Sequence, residues 1–276
     1  MAKRIFSTVI LWSLIGGVMW FFRTTGVLVL ITIISVLTLR EFYQLMRGAG
    51  YTPFDRLGLF FGGLITVAPW AEARFGRPDH LLLALATVVI AVRLLGERKP
   101  ENRVESLAST LVGLVYISVL LQYFVRIVTP LPGDVVTPDG RLLLCLWLVV
   151  VAKFCDMGAL LTGLAIGRHK LAPEISPKKT WEGAVGGVLV SMASGATFAW
   201  CARDSFPAHL TPLVAALMAA PIAILAIVSD LIESVIKRRA NFKDSGHSVP
   251  GIGGMFDLCD SLILVAPLGY FLFELP

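Results

Sequence analysis

The chain has 276 residues, 56% of them hydrophobic and only 16% charged, with a formal net charge of +5. A soluble domain is about a quarter charged, so this composition excludes an ordinary water-soluble globule and describes a polytopic membrane protein. The basic excess lies in short loops between apolar runs, as orientation signals and anionic-headgroup contacts do, and does not point to nucleic acid.

Apolar runs of about 17–25 residues suit bilayer-crossing helices. In chain order they fall at 5–22, 25–46, 57–73, 80–96, 107–128, 142–166, 181–201, 212–236 and 257–274. The first follows Lys3-Arg4 and resembles a signal peptide, but no small-x-small cleavage site follows and hydrophobicity resumes after Arg23, so it is expected to be a retained helix. Breaks are predicted at Gly48-Ala49-Gly50, Arg77-Pro78-Asp79, Pro130-Leu131-Pro132-Gly133 and Pro250-Gly251, where turn chemistry is concentrated. The expected fold is all-α, with about nine transmembrane helices and a cytoplasmic N-terminus. Residues 1–128 form an N-terminal helical region and 129–276 a C-terminal catalytic region.

Charge sets the orientation. With alternating crossings, about 17 Lys and Arg fall at the side of 1–4, 47–56, 97–106, 167–180 and 237–256, and about 6 at the other, which places the former in the cytoplasm. Trp20, Trp70 and Trp200 then lie near the outer interface and Trp181 near the inner, as belt residues do. The four cysteines, Cys145, Cys155, Cys201 and Cys259, have no CxxC spacing and are expected to act as small buried hydrophobes. No metal-binding spacing of histidines occurs.

Four polar constellations interrupt this apolar background. In 229–239, Asp230, Ser234 and Lys237 recur at i, i+4 and i+7, one helix face, with Glu233 beside them. A carboxylate, a hydroxyl and an ammonium in one stripe can hold a cation and a phosphate together, or can simply close a helix end with Arg238 and Arg239 as a topology anchor. In 250–260, Pro250-Gly251-Ile252-Gly253-Gly254 opens the last helix, where glycine backbone can approach an anion. Asp257 and Asp260 follow at i and i+3 and suit Mg²⁺, or are first-turn acids favoured by the helix dipole. Lys153 and Asp156 form an acid–base pair inside the sixth run, a functional candidate or an internal salt bridge. In 167–183, Ser176, Lys178, Lys179 and Thr180 can collect phosphates, or serve as a cytoplasmic basic loop with Thr180 as N-cap.

Taken together these segments resemble the phosphatidate cytidylyltransferase (CDP-diacylglycerol synthase) family. Asp156-Met157-Gly158-Ala159 resembles the family's D-x-G-A stretch, and 170–183 its H-K-L-A-P-x-I-S-P-K-K-T-x-E-G. Ser234, Lys237, Arg238, Lys243, Asp244, Gly246, Pro250, Gly251, Gly253, Gly254, Asp257 and Asp260 follow the signature S-x-x-K-R, K-D-x-G, P-G-x-G-G, D, D. The match covers roughly the last 120 residues. Ile252 and Leu258 depart from the usual histidine and arginine, removing two possible phosphate contacts and leaving the lipid acceptor open.

The resemblance implies transfer of the cytidylyl group of CTP to phosphatidic acid, giving CDP-diacylglycerol and pyrophosphate, with the site facing the cytoplasm from a plasma or inner membrane. It implies Mg²⁺ on Asp230, Asp257, Asp260 and Asp244, with a second, monovalent cation left open. Asp230, Ser234, Lys237, Asp257 and Asp260 are the implied catalytic set. Lys153, Asp156, Ser176, Lys178, Lys179, Thr180, Arg238, Lys243, Gly253 and Gly254 are the implied substrate-binding set. It also allows a homodimer. A CTP-dependent lipid kinase, or a cytidylyltransferase for another lipid phosphate, is the neighbouring enzyme reading. A secondary transporter is disfavoured, because no inverted repeat is visible.

Overall fold

The computed structural model describes residues 2–96, 103–130, 136–242, 245, 246, 248 and 253–274, with side chains described from residue 10 onward except Leu11. The expected site residues Lys243 and Asp244, and the departure at Ile252, lie outside the described residues. The helices are α1 (Ala2–Gly48), α2 (Asp55–Phe75), α3 (His80–Leu94), α4 (Arg103–Gly113), α5 (Leu120–Val128), α6 (Pro138–Ile166), α7 (Trp181–Cys201), α8 (Pro212–Arg239), α9 (Met255–Ile263) and α10 (Val265–Phe273), with a π-helical segment Leu114–Val119 joining α4 to α5. Each of the nine apolar runs is therefore helical. The two expected N-terminal helices run on as α1, with a non-helical residue at Arg23 (φ 47°, ψ −139°) where the sequence separates them.

Among the described residues, six helical stretches are long and apolar enough to cross a membrane: Trp12–Gly48, Arg103–Val128, Pro138–Ile166, Trp181–Cys201, Pro212–Arg239 and Met255–Phe273. Helix α3, at 15 residues, is apolar but shorter. This makes the chain an integral membrane protein. Its exposed hydrophobic side chains, such as Leu160, Leu161 and Leu164 on α6, are what a lipid-facing surface requires. Trp20, Trp70, Trp181 and Trp200 are all exposed, the last three near helix ends and Trp20 three residues before the break at Arg23. One departure from an all-helical chain is an antiparallel hairpin between α6 and α7, β1 (Lys170–Ala172) and β2 (Ser176–Thr180), in the segment expected to be a loop. Cys145, Cys155 and Cys259 are buried as expected, but Cys201, in the last turn of α7, is exposed.

The chain divides into two compact units. One comprises 1–129 and 236–259, the other 130–235 and 260–276. In the first, α1 buries Leu39, Phe42, Tyr43 and Leu45. Tyr43 donates its hydroxyl to the Thr110 carbonyl (2.9 Å), and a Cβ on Gly58 or Gly113 would lie 2.4 Å from the Tyr43 ring or hydroxyl. Ser35 and Thr66 pair their hydroxyls at 2.8 Å between α1 and α2. Arg126, at the end of α5, reaches Glu72 (3.2 Å) and Asp79.

In the second unit the α6–α7 hairpin is the principal packing. Helix α7 buries a residue every fourth position: Gly183, Gly187, Ser191, Gly195 and Ala199. All are small, the pattern that lets membrane helices approach closely where lipid tails remove any hydrophobic drive between them. A Cβ on Gly187 would stand 2.8 Å from the Cys155 carbonyl oxygen on α6. The closeness allows cross-helix hydrogen bonds from Ser191 Oγ to the Val151 carbonyl and from Trp147 Nε1 to the Gly195 carbonyl, both 2.9 Å. Each contributes about 0.6 kcal/mol in a membrane. Thr137 and Thr180 cap α6 and α7, accepting from Gly140 N–H and Gly183 N–H at 3.1 Å.

Candidate active site

Three helices of the second unit carry ionisable groups into one place. Helix α6 presents Lys153 and Asp156 one turn apart, α8 presents Asp230 and Glu233 one turn apart, and α9 contributes Asp260 and Ser261. Carboxylate oxygens of Asp230, Glu233 and Asp260 all lie within 4.8 Å of one another. Glu233 is fully buried. A charged residue at the centre of a membrane helix costs roughly 2.5–3.5 kcal/mol on insertion scales. Three acids so close need cations to hold them together.

Among the described residues, Lys179 and Lys153 are two such cations. Lys179 Nζ, delivered by β2, is 2.7 Å from Asp230 Oδ2. Lys153 Nζ is 3.6 Å from Asp260 Oδ1 and 3.4 Å from Asp156 Oδ2. Lys153 also donates to Ser261 Oγ (2.8 Å), which donates in turn to Asp156 Oδ2 (2.9 Å). The Ser229 hydroxyl donates to the Asp260 carbonyl, tying α8 to α9. Among the described residues, the four carboxylates Asp156, Asp230, Glu233 and Asp260 outnumber the ammonium groups of Lys153 and Lys179 that pair with them. That excess, on oxygen donors of a size a hard cation prefers, fits a divalent metal ion.

In the first unit, Asp257 and Glu41 are the carboxylates around the start of α9. Helix α9 begins at Met255, and the Gly254 carbonyl accepts its first intrahelical bond, from Leu258 N–H at 3.2 Å. Asp257 turns back to accept from Gly254 N–H (2.8 Å) and Ser245 N–H (2.9 Å), and pairs with Lys237 Nζ at 2.8 Å. Glu41 of α1, 4% exposed, accepts from Phe256 N–H (2.8 Å), the Ser245 hydroxyl (3.1 Å) and the Ser248 hydroxyl. Gly253 has φ +136°, and a Cβ on Gly254 would stand 2.2 Å from Glu41 Oε2 and 2.1 Å from Ser245 Oγ. Both glycines thus stand against the chain's own acids, Gly253 beside Asp257 and Gly254 beside Glu41.

The expected residues fall in both units. Asp230 and Asp260 join the trio, and Lys153, Asp156 and Lys179 surround it. Asp257 and Lys237 pair in the first unit. Thr180 is the N-cap of α7, its structural alternative, while Lys178 is exposed and Ser176 pairs with Ala172 across the hairpin. Ser234 is half-buried on α8, and Arg238 is exposed. Sequence reasoning passed over Glu233 and Glu41 as site residues. Glu233 was visible at i+3 from Asp230. Glu41's only signal was a lone carboxylate inside an apolar run. His169, just before β1, is exposed and pairs its Nδ1 with Glu182 Oε1 at 2.6 Å.

A helical membrane protein with a carboxylate–ammonium cluster among its spans is the class this architecture defines. The model of the cytidylyltransferase family matches residues 2–275, and the chain belongs to that family. It is 30% identical over 283 residues to the phosphatidate cytidylyltransferase of Synechocystis sp., covering 94% of this chain and 89% of that protein. It is 30% identical over 202 residues to that of Thermotoga maritima, covering 73% and 72%. Over 260 residues it is 33% identical to phosphatidate cytidylyltransferase 5, chloroplastic, of Arabidopsis thaliana, covering 85% and 62%.

Proposed function

We propose that this protein transfers the cytidylyl group of CTP to phosphatidic acid, forming CDP-diacylglycerol and releasing pyrophosphate. Membership of the cytidylyltransferase family carries this reading, supported by relatives named for that reaction and by a charged cluster set among apolar helices. A phosphate monoester has its second pKa near 6, so the attacking oxygen of phosphatidic acid is already largely ionised at neutral pH. A strong general base is unnecessary. The task is to bring two polyanions together and to neutralise charge on the α-phosphorus and the departing pyrophosphate.

Asp230, Glu233 and Asp260 are the carboxylates that would hold a divalent ion, taken to be Mg²⁺. Such an ion, when bound, supplies charge neutralisation to nucleotide phosphates. Lys179 and Lys153 keep the trio balanced and orient it, and Lys153 is assigned to the lipid phosphate. Lys237, Arg238 and Lys243 are assigned to the triphosphate, with Ser234 completing the polar shell and Asp257 orienting Lys237. Ser176, Lys178 and the glycines Gly253 and Gly254 are assigned a supporting phosphate-side role, as is Asp244. The protein is placed in a cell membrane with nine crossings, the N-terminus and both signature loops on the cytoplasmic side where CTP is found.

The reaction is tested with purified protein, labelled CTP and phosphatidic acid, with and without Mg²⁺. CDP-lipid and pyrophosphate are expected; lipid phosphate with CDP would replace this reading with a lipid kinase. Reporter fusions to the two termini, expected on opposite sides with the N-terminus inside, test the topology.

A further inference from the structure

Helix α9 starts on a glycine. An N-cap residue ordinarily lends a side-chain oxygen to the N–H of the second or third helical residue. Gly254 has none to lend, and its space is filled: a Cβ there would collide with Glu41 Oε2 and Ser245 Oγ. The oxygen comes instead from α1. Glu41 Oε2 accepts from Phe256 N–H, the second residue of α9, at 2.8 Å. Asp257, the third residue, reaches back to the Gly254 N–H at 2.8 Å, which is the returning half of a capping box. Ser245 joins the two carboxylates. Its hydroxyl donates to Glu41 Oε2 (3.1 Å) and accepts from Asp257 N–H (3.3 Å), while its own N–H donates to Asp257 Oδ2 (2.9 Å). Asp257 in turn holds Lys237 at 2.8 Å.

We propose that Glu41 is a positioning residue for the Lys237–Asp257 pair: it is the N-cap of α9 supplied in trans by α1, setting the helix start from which Asp257 holds Lys237. This gives the N-terminal helix a role in the reaction that its apolar sequence does not advertise. The role rests on the functional reading above only for its kinetic consequence; the cap stands on geometry alone. What Glu41 supplies is an acceptor at the Oε2 position. Gln can keep that oxygen on Phe256 N–H and Ser245 Oγ while turning its amide N–H towards Ser248 Oγ. Met, of similar size, cannot.

The test compares the full-length Glu41→Met and Glu41→Gln variants with wild type in the CDP-lipid assay and by amide hydrogen exchange. Glu41→Met is expected to lower kcat about tenfold to a hundredfold, the range for misplacing a reacting group by about 1 Å, with KM for phosphatidic acid within about twofold. Glu41→Gln is expected within about threefold of wild type in kcat, since it retains the acceptor. Exchange at Phe256 N–H is expected to quicken in Glu41→Met and not in Glu41→Gln, with α6 and α7 unchanged. Wild-type kcat in Glu41→Met, or equal losses in Met and Gln, overturns the proposal. If Glu41→Met does not fold, Ser245→Ala, which cuts the hydroxyl between Glu41 and Asp257, reads the same relay and must lower kcat in the same direction. A wild type that makes no CDP-lipid would sink the functional reading, and the exchange comparison would still decide the cap.

Discussion

Glu233→Gln separates a site built to hold a cation from an internal salt-bridge network. Its oxygens lie within 4.8 Å of those of Asp230 and Asp260. At an effective dielectric of about 20, two like charges at that distance repel by about 3.5 kcal/mol. Removing the Glu233 charge relieves two such repulsions, about 7 kcal/mol or more before the attraction of Lys153 and Lys179 is subtracted. Without divalent ion, the variant should therefore unfold at a higher temperature than wild type. With Mg²⁺ the gap should narrow. A ligand at a hundred times its Kd stabilises the native state by about 2.7 kcal/mol, and loss of one anionic ligand should reduce that response and weaken Mg²⁺ binding about tenfold or more, equivalent to about 1.4 kcal/mol. The assay is thermal unfolding in detergent across a MgCl₂ titration, alongside CDP-lipid formation. A variant that is less stable without divalent ion, and whose response to Mg²⁺ matches wild type, refutes the reasoning and makes Glu233 a structural acid.

Lys153→Met leaves Asp156, Asp260 and Ser261 without their shared ammonium, and should destabilise the protein by about 1–3 kcal/mol in denaturant unfolding. Unchanged stability would remove Lys153 from the balance of the cluster. Gly187→Val pushes side-chain atoms against the α6 backbone at Cys155 and should cost about 1–3 kcal/mol or more in the same measurement. A neutral result would mean that α6 and α7 do not meet on this stripe. Asp257→Asn should leave the protein inserted and folded but lower turnover sharply, because Lys237 loses its partner charge. Near-normal Mg²⁺-dependent activity in purified Asp257→Asn protein would remove Asp257 from the reaction.

The membrane class, the nine helical runs, the break at Arg23 and the cap at Thr180 are properties of short windows of sequence. Hydropathy, helical spacing and N-cap chemistry act between residues close in the chain, so composition and period report them directly. The signature from Asp156 to Asp260 pointed to the family in the same way. Local spacing also put Asp230 and Glu233 on one helix face. It could not say that their third partner is Asp260, because that choice depends on how α9 packs against α8. Nor could it assign the partners of Asp257, or show that Glu41 stands against Gly254. Glu41 is the clearest case: it lies more than two hundred positions from Phe256, within a run expected to cross the membrane. A buried carboxylate finds its donors wherever packing puts them, and a one-dimensional pattern holds no record of contacts made at that separation.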